Sequence, residues 1–508
     1  MSHIRALCPP PEILLEIGRF TGPPGLAVLL IANKWLNEFL SPLLYSAVVL
    51  KEPRSTHMWL RTLLTSQNEL FGARDLVGLV RSLHVSDVLS KFSIAHFFED
   101  KIKAGISQVL PRLTSLRELC FRSPRVLTID VLVDFLHMSR GNISSIDVVL
   151  AENEQGRIPF EEERRFKRTL QPLGNLTLLR INHFHHFPLA CTDFLQRLLT
   201  AHSNQICTLS LSDSDERISR RIIGTAPRFP MLIDLDLDVT VFFLRKFPHK
   251  AFPRVQTLTL RGGEDVLNFD IREKGRLPPS AYPLLGKISC EEPFLHVFLP
   301  AGASPHGRRP IHTIQLNDAS WEADGDYDGI AGDWWSVADE LKSLRYSGTP
   351  VRHLSFCSDD IQLAQLASLS ECLISLETLV IATVRGPALD CDSSVEHLLA
   401  KMPRLHTLLF SDAPSRTNNM LQYSPVGRSR TKQCEIVTRW SQRGVSLRRI
   451  AFTVMMEWVR GAEGWELRDH SDKYEIVTDS DTFSDDSGDD GLEYDHDVED
   501  DGSEEDYI

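Results

Sequence analysis

A short apolar motif recurs along most of this 508-residue chain and restricts the folds that the chain can adopt. The motif has the form apolar-x-x-apolar-x-apolar, and it begins at thirteen positions between Val80 and Leu447, about every 31 residues on average. Its last two apolar residues alternate with polar ones, which predicts a strand with one buried face. A unit of this length cannot bury that face alone, so neighbouring units must stack on one continuous core.

Helical spacing precedes several of these motifs, as in residues 131–138, 193–201, 361–372 and 394–402. A repeated order of helix, turn and strand predicts an α/β solenoid with a parallel sheet on its concave face. The thirteen motifs are Val80/Leu83/Val85, Leu116/Leu119/Phe121, Ile143/Ile146/Val148, Leu176/Leu179/Ile181, Ile206/Leu209/Leu211, Leu232/Leu235/Leu237, Val255/Leu258/Leu260, Leu285/Ile288/Cys290, Ile311/Ile314/Leu316, Val351/Leu354/Phe356, Leu376/Leu379/Ile381, Leu405/Leu408/Phe410 and Leu447/Ile450/Phe452.

The motif array resembles the leucine-rich-repeat family over about 370 residues. Regular repeats of that family carry Asn or Cys three residues beyond the last apolar strand position. Here that column contains residues such as Pro124, Ala151 and Phe184, and no Asn. The resemblance is therefore to irregular, lengthened repeats, which F-box proteins of fungal type tend to carry. The alternative is an ordinary α/β domain whose parallel strands are apolar.

The N-terminal segment is apolar and helical in pattern. A first helix is predicted from Glu12 to Phe20, with Pro11 at its first position, where a missing N–H costs nothing. A second helix is predicted from Leu26 to about Leu40 and ended by Ser41-Pro42. So small a segment cannot bury this much apolar surface alone, which indicates a partner surface.

These helices, with Trp35 and the closing Pro42-Leu43-Leu44-Tyr45, resemble an F-box. An F-box is the module by which a substrate receptor docks onto the Skp-type adaptor of a cullin-RING ubiquitin ligase. Two features depart from that family: Cys8-Pro9-Pro10-Pro11 replaces an opening Leu-Pro, and Gly22-Pro23-Pro24-Gly25 forms the inter-helix turn. The resemblance implies that the adaptor-binding residues are Pro11, Ile13, Leu14, Ile17, Leu29, Leu30 and Trp35.

The net charge of −14 comes from the C-terminal end. From Asp469 onward the chain has eighteen Asp and Glu and one Lys, whereas residues 1–468 have 54 basic and 51 acidic residues. A segment this acidic and poor in apolar residues is predicted to be disordered. It could keep the protein soluble, contact a basic partner or be phosphorylated. The nearly neutral remainder lacks the cationic field that a nucleic-acid surface needs.

Composition and motifs also limit the function classes. There is no signal-peptide pattern, no apolar run long enough for a bilayer and no Cys-x-x-Cys pair, so we expect an intracellular protein, cytoplasmic or nuclear, with no membrane partner. No phosphate-binding loop or nucleophile elbow is present, so we expect neither an enzyme nor a cofactor. The calcium-like run 324–329 has Trp335 in place of its final Glu, and His183, His185 and His186 lack further ligands, so no metal site is expected.

The strand around Leu235 carries three carboxylates. Asp234, Asp236 and Asp238 share one face because strand residues two apart point the same way, and Arg261 lies at an equivalent position on the next strand. We interpret these residues as a candidate surface for a basic or amide-rich target peptide, although solvated strand residues would show the same pattern.

Together these patterns predict three segments: a helical F-box-like module at 5–50, a solenoid at 51–465 and a disordered acidic tail at 466–508. Insertions are predicted near 151–171, 317–347 and 412–440. The predicted function is the substrate-recognition subunit of a Skp-cullin-F-box ubiquitin ligase, which binds the adaptor and an unidentified protein target. The alternatives are a repeat scaffold unrelated to ubiquitin, capped by the N-terminal helices, and a GTPase-activating repeat protein.

Overall fold

The structure of the protein is a computed structural model. Among the residues that it describes, no helix is long and apolar enough to cross a membrane. The acidic segment after Asp469 and the calcium-like run at 324–329 lie outside those residues. The structure describes residues 11–21, 23–32, 34–65, 76–86, 95–123, 126–139, 142–151, 173–184, 189–214, 227–242, 248–261, 277, 281–291, 294–300, 308–317, 341–357, 370–383, 396, 399–412, 429–444, 446–452 and 456–469.

The described part of the chain contains eleven α-helices and sixteen strands. The helices are α1 Pro11–Phe20, α2 Pro23–Ala32, α3 Lys34–Ser46, α4 Pro53–Thr65, α5 Ala95–Val109, α6 Ile129–Met138, α7 Leu189–His202, α8 Val239–Phe242, α9 Leu295–Phe298, α10 Ser370–Leu373 and α11 Arg430–Arg443. The strands are β1 Ala47–Leu50, β2 Ser82–Val85, β3 Glu118–Phe121, β4 Ser145–Val149, β5 Leu178–Phe184, β6 Thr208–Ser214, β7 Asp234–Asp238, β8 Thr257–Arg261, β9 Lys287–Glu291, β10 Thr313–Asn317, β11 His353–Cys357, β12 Thr378–Thr383, β13 Thr407–Asp412, β14 Arg449–Ala451, β15 Met456–Arg460 and β16 Trp465–Asp469.

All sixteen strands form one sheet in the order of the sequence. Strands β1 to β14 pair in parallel, each with the next along the chain. A parallel sheet whose neighbours are always consecutive is the topology of a solenoid, because each unit contacts only the units before and after it. The predicted mixed α/β architecture with a long parallel sheet is confirmed, and the thirteen motifs supply strands β2 to β14.

Three columns of apolar side chains form the core of this sheet. The register places the second residue of each motif beside that of its neighbour, as in Leu209, Leu235 and Leu258. All thirteen side chains in that column are at most 1% exposed, and the first residues of the motifs are at most 3% exposed. The spacing of the motif therefore places three residues of each unit in one shared interior, as the sequence predicts.

The strand starts are joined by a regular pattern of backbone hydrogen bonds. At each step, two successive N–H groups of one unit donate to a single carbonyl of the previous unit, as when Cys207 and Thr208 bind the Thr177 oxygen at 2.8 and 3.1 Å. The pattern repeats from Arg117 to Arg449. The main-chain N–H and carbonyl groups at the start of each strand thus satisfy one another. These bonds hold the units in register without the asparagine column of regular repeats.

The sheet begins earlier than the motif count indicates. β1 directly follows α3 and pairs with β2, so the sheet reaches into the predicted 5–50 module. Its residues follow the same rule, since Val48 and Leu50 are buried and Tyr45 packs against the main core. Tyr45, Val48 and Leu50 thus form a further copy of the motif.

The second predicted helix is wrong in two respects. It is two helices, since α2 ends at Ala32 and α3 begins at Lys34, and α3 continues through Pro42 instead of ending there. Proline costs a helix one backbone hydrogen bond. Continuing the helix brings Leu43 and Leu44 against the small cluster of Leu26 and Leu40, and that burial offsets the lost bond.

The far end of the sheet is closed by an antiparallel hairpin. β15 pairs with β14 and β16 with β15, both antiparallel, so residues 466–469 belong to the sheet although the sequence assigns them to the tail. Helix α11, which begins within the predicted 412–440 insertion, buries Trp440 beside Phe410 and Phe452. Gln433 of α11 accepts a hydrogen bond from the Trp458 indole at 2.9 Å. These contacts shield the last repeat from solvent.

A buried polar cluster lies beneath the middle of the solenoid. The Arg309 guanidinium is 2% exposed and donates to the carbonyls of Ala281 and Phe298 at 3.0 and 2.8 Å. His249 Nδ1 is hydrogen-bonded to the Tyr282 hydroxyl at 3.1 Å. Burial, assisted by the Arg309 charge, lowers the pKa of His249 from 6.5 to about 4. Between about pH 4 and pH 6.5 the imidazole is therefore neutral in the folded protein but protonated in the unfolded chain.

This shift predicts an acid sensitivity. The depressed pKa of His249 contributes stability that is fully present above pH 6.5 and is lost as the pH falls toward about 4, because the unfolded chain takes up a proton first. We expect His249→Gln, which keeps a polar contact to Tyr282, to flatten the decline of unfolding free energy over this interval. Urea titrations at several pH values measure it, and parallel curves for wild type and variant would refute the assignment.

Candidate functional site

The N-terminal helices have a small interior of their own. Leu26 and Leu40 are buried against Leu29, Leu36, Leu43 and Leu44, and this cluster is separate from the main core of the solenoid. Leu14 is also buried, at 8% exposure. A core of this size leaves much of the apolar surface of three helices uncovered.

The uncovered surface lies on α1 and α2. Along α1, Ile13, Ile17 and Phe20 are 52%, 46% and 88% exposed, and they share one face because they are spaced four and three residues apart. On α2, Val28 and Ile31 are 67% and 86% exposed. We call these five residues the α1–α2 patch. Five of the twelve exposed large apolar side chains among the described residues are concentrated here, which marks the patch as a candidate interaction surface.

The structure separates the predicted adaptor residues into two groups. Ile13 and Ile17 belong to the α1–α2 patch. Leu14 and Leu29 point inward and support the module, so any effect on a partner is indirect. Pro11 begins α1, and the side chains of Pro11, Leu30 and Trp35 lie outside the described part of the chain. Sequence reasoning missed Phe20, Val28 and Ile31, although Phe20 continues the helical spacing of Ile13 and Ile17.

A second candidate surface is the face of the sheet that points away from the motif side chains, here called the open face. Asp234 and Asp236 lie on it half-buried, and Asp238 follows at 7% exposure. Thr208 donates to Asp234 at 3.2 Å and Ser210 donates to Asp236 at 2.9 Å. The hydroxyl groups of β6 thus hold the carboxylates of β7 in place.

Arg261 binds Asp236 through both arms of its guanidinium. Nε lies 3.1 Å from Oδ1 and Nη2 lies 2.8 Å from Oδ2, across one strand spacing. Such a two-point contact fixes both side chains and compensates the Asp236 charge. The predicted residues Asp236 and Arg261 therefore do come together, and Arg261 partly neutralises the charge of Asp236.

A second ion pair lies on the same face three strands away. Asp147 is 9% exposed, and its Oδ2 accepts a hydrogen bond from Arg122 at 3.0 Å and lies 3.8 Å from Arg180. Burial is the main cause that raises the pKa of the adjacent Cys120 thiol, and the Asp147 charge adds to it. A thiol with a raised pKa is a poor nucleophile at neutral pH. The open face thus offers paired charges and hydroxyls, a surface suited to recognition.

Metal-ligating side chains do not converge on either surface. Across the ranges given above, no group of three or more His, Cys, Asp or Glu side chains is arranged to hold a metal ion. His185 and His186, which the sequence analysis groups with His183, lie outside these ranges.

Comparisons with known proteins add little beyond the architecture. No family model and no curated protein matches the sequence. Among solved structures, the leucine-rich-repeat protein LegL7 from Legionella pneumophila is 12% identical over 72% of this chain and 90% of its own, with a TM-score of 0.30. The Rad7–Elc1 complex in yeast is 14% identical, covering 82% of this chain and 89% of the matched chain, with a TM-score of 0.33. The TLR13–ssRNA13 complex is 14% identical over 66% and 45%, with a TM-score of 0.27. Scores this low transfer no role to this chain.

The Arg261 contact predicts how the open face responds to charge removal. Arg261→Gln releases Asp236. Lys287→Gln removes an equal charge from the neighbouring strand, and among the described residues no carboxylate is paired with Lys287. We expect both variants to lose less than about 1 kcal/mol of unfolding free energy, since exposed pairs contribute little. We expect the affinity for an oligolysine peptide, measured by calorimetry, to rise more in Arg261→Gln. Equal affinities would show that Arg261 does not mask this face.

Proposed function

We propose that this chain is a substrate receptor of a Skp-cullin-F-box ubiquitin ligase. The α1–α2 patch would dock on the Skp-type adaptor, and through it on a cullin scaffold. The open face of the solenoid would hold a protein target. The chain needs no catalytic residue for this role, because ubiquitin transfer belongs to other subunits and the receptor contributes proximity. Such a receptor works inside the cell, in the cytoplasm, the nucleus or both.

One observation carries the proposal: an apolar surface stands uncovered on the same two helices whose sequence resembles an F-box. Its five side chains are 46% to 88% exposed, while the leucines behind them are packed together. Exposed apolar residues that share a face of one helix, as Ile13, Ile17 and Phe20 do on α1, are typical of a surface completed by a partner helix or groove.

The open face supports the second half of the role. Its polar side chains are held in defined positions by cross-strand contacts such as Ser212 to Asn182 at 2.8 Å and Arg261 to Asp236. Recognition surfaces on rigid elements lose little entropy when they bind. A target would therefore meet a preorganised surface of hydroxyls, amides and paired charges.

The adaptor contact is tested by placing a charge in the patch. Because Ile13 is 52% exposed, Ile13→Asp leaves the module folded but puts an unpaired charge into the interface. We expect binding of a purified Skp-type adaptor to weaken at least about thirtyfold, the equivalent of about 2 kcal/mol for an anchor residue. Surface-immobilised adaptor and the full chain suffice for the measurement.

Met58→Asp is the matched control, because Met58 is 51% exposed on α4, outside the patch. It should bind the adaptor as the wild type does. Failure of the wild-type chain to bind, or equal weakening by both variants, would remove the F-box assignment.

A repeat scaffold capped by the N-terminal helices is the second candidate. One observation favours it: α3 runs into β1 without a loop, and Tyr45 at its end packs against the main core. A cap of this kind would be needed for the stability of the repeats. An adaptor-binding module would not be needed for that stability.

Two substitutions on α2 separate these candidates. Leu26→Asp buries a charge in the small cluster, whereas Val28→Asp, two residues away, faces solvent at 67% exposure. If α1–α3 form a docking module, we expect Leu26→Asp to abolish adaptor binding but leave the main thermal transition of the solenoid within about 2 °C, since the two cores are separate. A drop of that transition well beyond the change in Val28→Asp would favour the cap.

A further inference from the structure

The starts of strands β10 to β14 and the end of β15 carry a row of polar side chains, of which Arg352, Arg448 and Arg460 are cationic. The backbone pattern described above joins consecutive residues: Arg352 N to His312 O at 2.9 Å, Glu377 N to Arg352 O at 2.8 Å and His406 N to Glu377 O at 3.0 Å. It continues from Arg448 N to His406 O at 2.9 Å and from Arg460 N to Arg448 O at 2.8 Å. The six side chains therefore follow one another at strand spacing, about 4.8 Å. We call them the basic rim.

The charge balance of the basic rim is positive. Its single carboxylate, Glu377, lies 3.8 Å from Arg352 and 3.9 Å from His406, so the basic rim holds three arginines and one carboxylate. Arg448 and Arg460 are exposed, and the Arg352 side chain is 60% exposed. The carboxylates of the middle of the sheet lie on the open face, as Asp147 and Asp236 do, and not on this rim. An extended acidic chain would be attracted to the three arginines of this row.

The protein carries such a chain itself. Residues 470–508 contain seventeen Asp and Glu against one Lys, and they follow directly from β16, the last strand of the sheet. An unfolded chain of this length spans about 35 Å on average. β10, where the basic rim begins, lies six strands from β16, or about 29 Å along the sheet, and Asp469 lies at the end of β16 away from the rim, about 14 Å across the strand. The direct distance is therefore about 32 Å. Covalent attachment gives the segment an effective concentration of the order of mM at the rim.

We propose that the basic rim is a binding surface for an acidic peptide, and that in the free protein its occupant is the chain's own residues 470–508. An acidic partner must then displace this segment before it can bind. The inference does not depend on the adaptor role of the N-terminal helices, because the two surfaces lie at opposite ends of the sheet.

The test uses a labelled peptide of residues 479–507 and full-length protein, with affinity measured by fluorescence anisotropy at low salt. In one variant, Asp485, Asp486, Asp489 and Asp490 are replaced by Ser, which weakens the resident segment. We expect this variant to bind the peptide about tenfold more tightly than the wild type, since the competing intramolecular contact is reduced. Adding Arg352→Glu and Arg448→Glu to it should lower the affinity at least about tenfold.

Arg81→Glu with Arg117→Glu, added to the same variant, is the matched control. These arginines occupy the same backbone row at β2 and β3, more than about 60 Å along the sheet from β16, beyond the average span of the segment. We expect this pair to change peptide affinity much less than the rim pair. Equal losses from both pairs, or equal affinities of wild type and the Ser variant, would overturn the proposal. Thermal unfolding of each variant verifies that the fold is intact.

Discussion

The register between neighbouring units is the constraint on which this structure depends. Each unit contributes three apolar side chains, and the parallel pairing lines them up in columns that solvent hardly reaches. A slip of one residue in any strand would turn its apolar pair to the open face and its polar residues to the core. Two interactions prevent this slip: the burial itself, and the shared carbonyl at each strand start, which accepts two N–H groups of the next unit.

The same register decides what the open face displays. Residues between the apolar positions must point to the opposite face of the sheet, so Asp236, Ser210 and Thr259 form one row across three strands. Arg261 reaches Asp236 diagonally because it lies two residues beyond Thr259, the residue that pairs with Asp236. Recognition chemistry on this protein is therefore organised by strand geometry, and the charged groups are largely arranged as partners of one another before any ligand arrives.

The sequence alone predicted the solenoid and its thirteen motif strands because their spacing is local and recurs. It missed β1, whose copy of the motif overlaps the N-terminal helices, and the hairpin of β15 and β16, where the repeat rule ends. Pro42 misled the helix prediction because its cost is offset by packing of Leu43 and Leu44, a tertiary effect. At the candidate sites, face and spacing were predictable for Ile13, Ile17 and Asp236. The masking of Asp236 by Arg261 was not, because it depends on a diagonal contact between residues 25 positions apart.

The shared-carbonyl pattern has a consequence for how such a chain can change over evolutionary time. The register is set where each strand begins. The segments that follow the strands do not determine it, so their lengths can change. The steps between successive motifs already vary, from 23 residues between Leu232 and Val255 to 42 between Leu405 and Leu447. New loops can therefore be acquired one unit at a time, each exposed to selection for a different target, while the spacing of the scaffold beneath them stays the same.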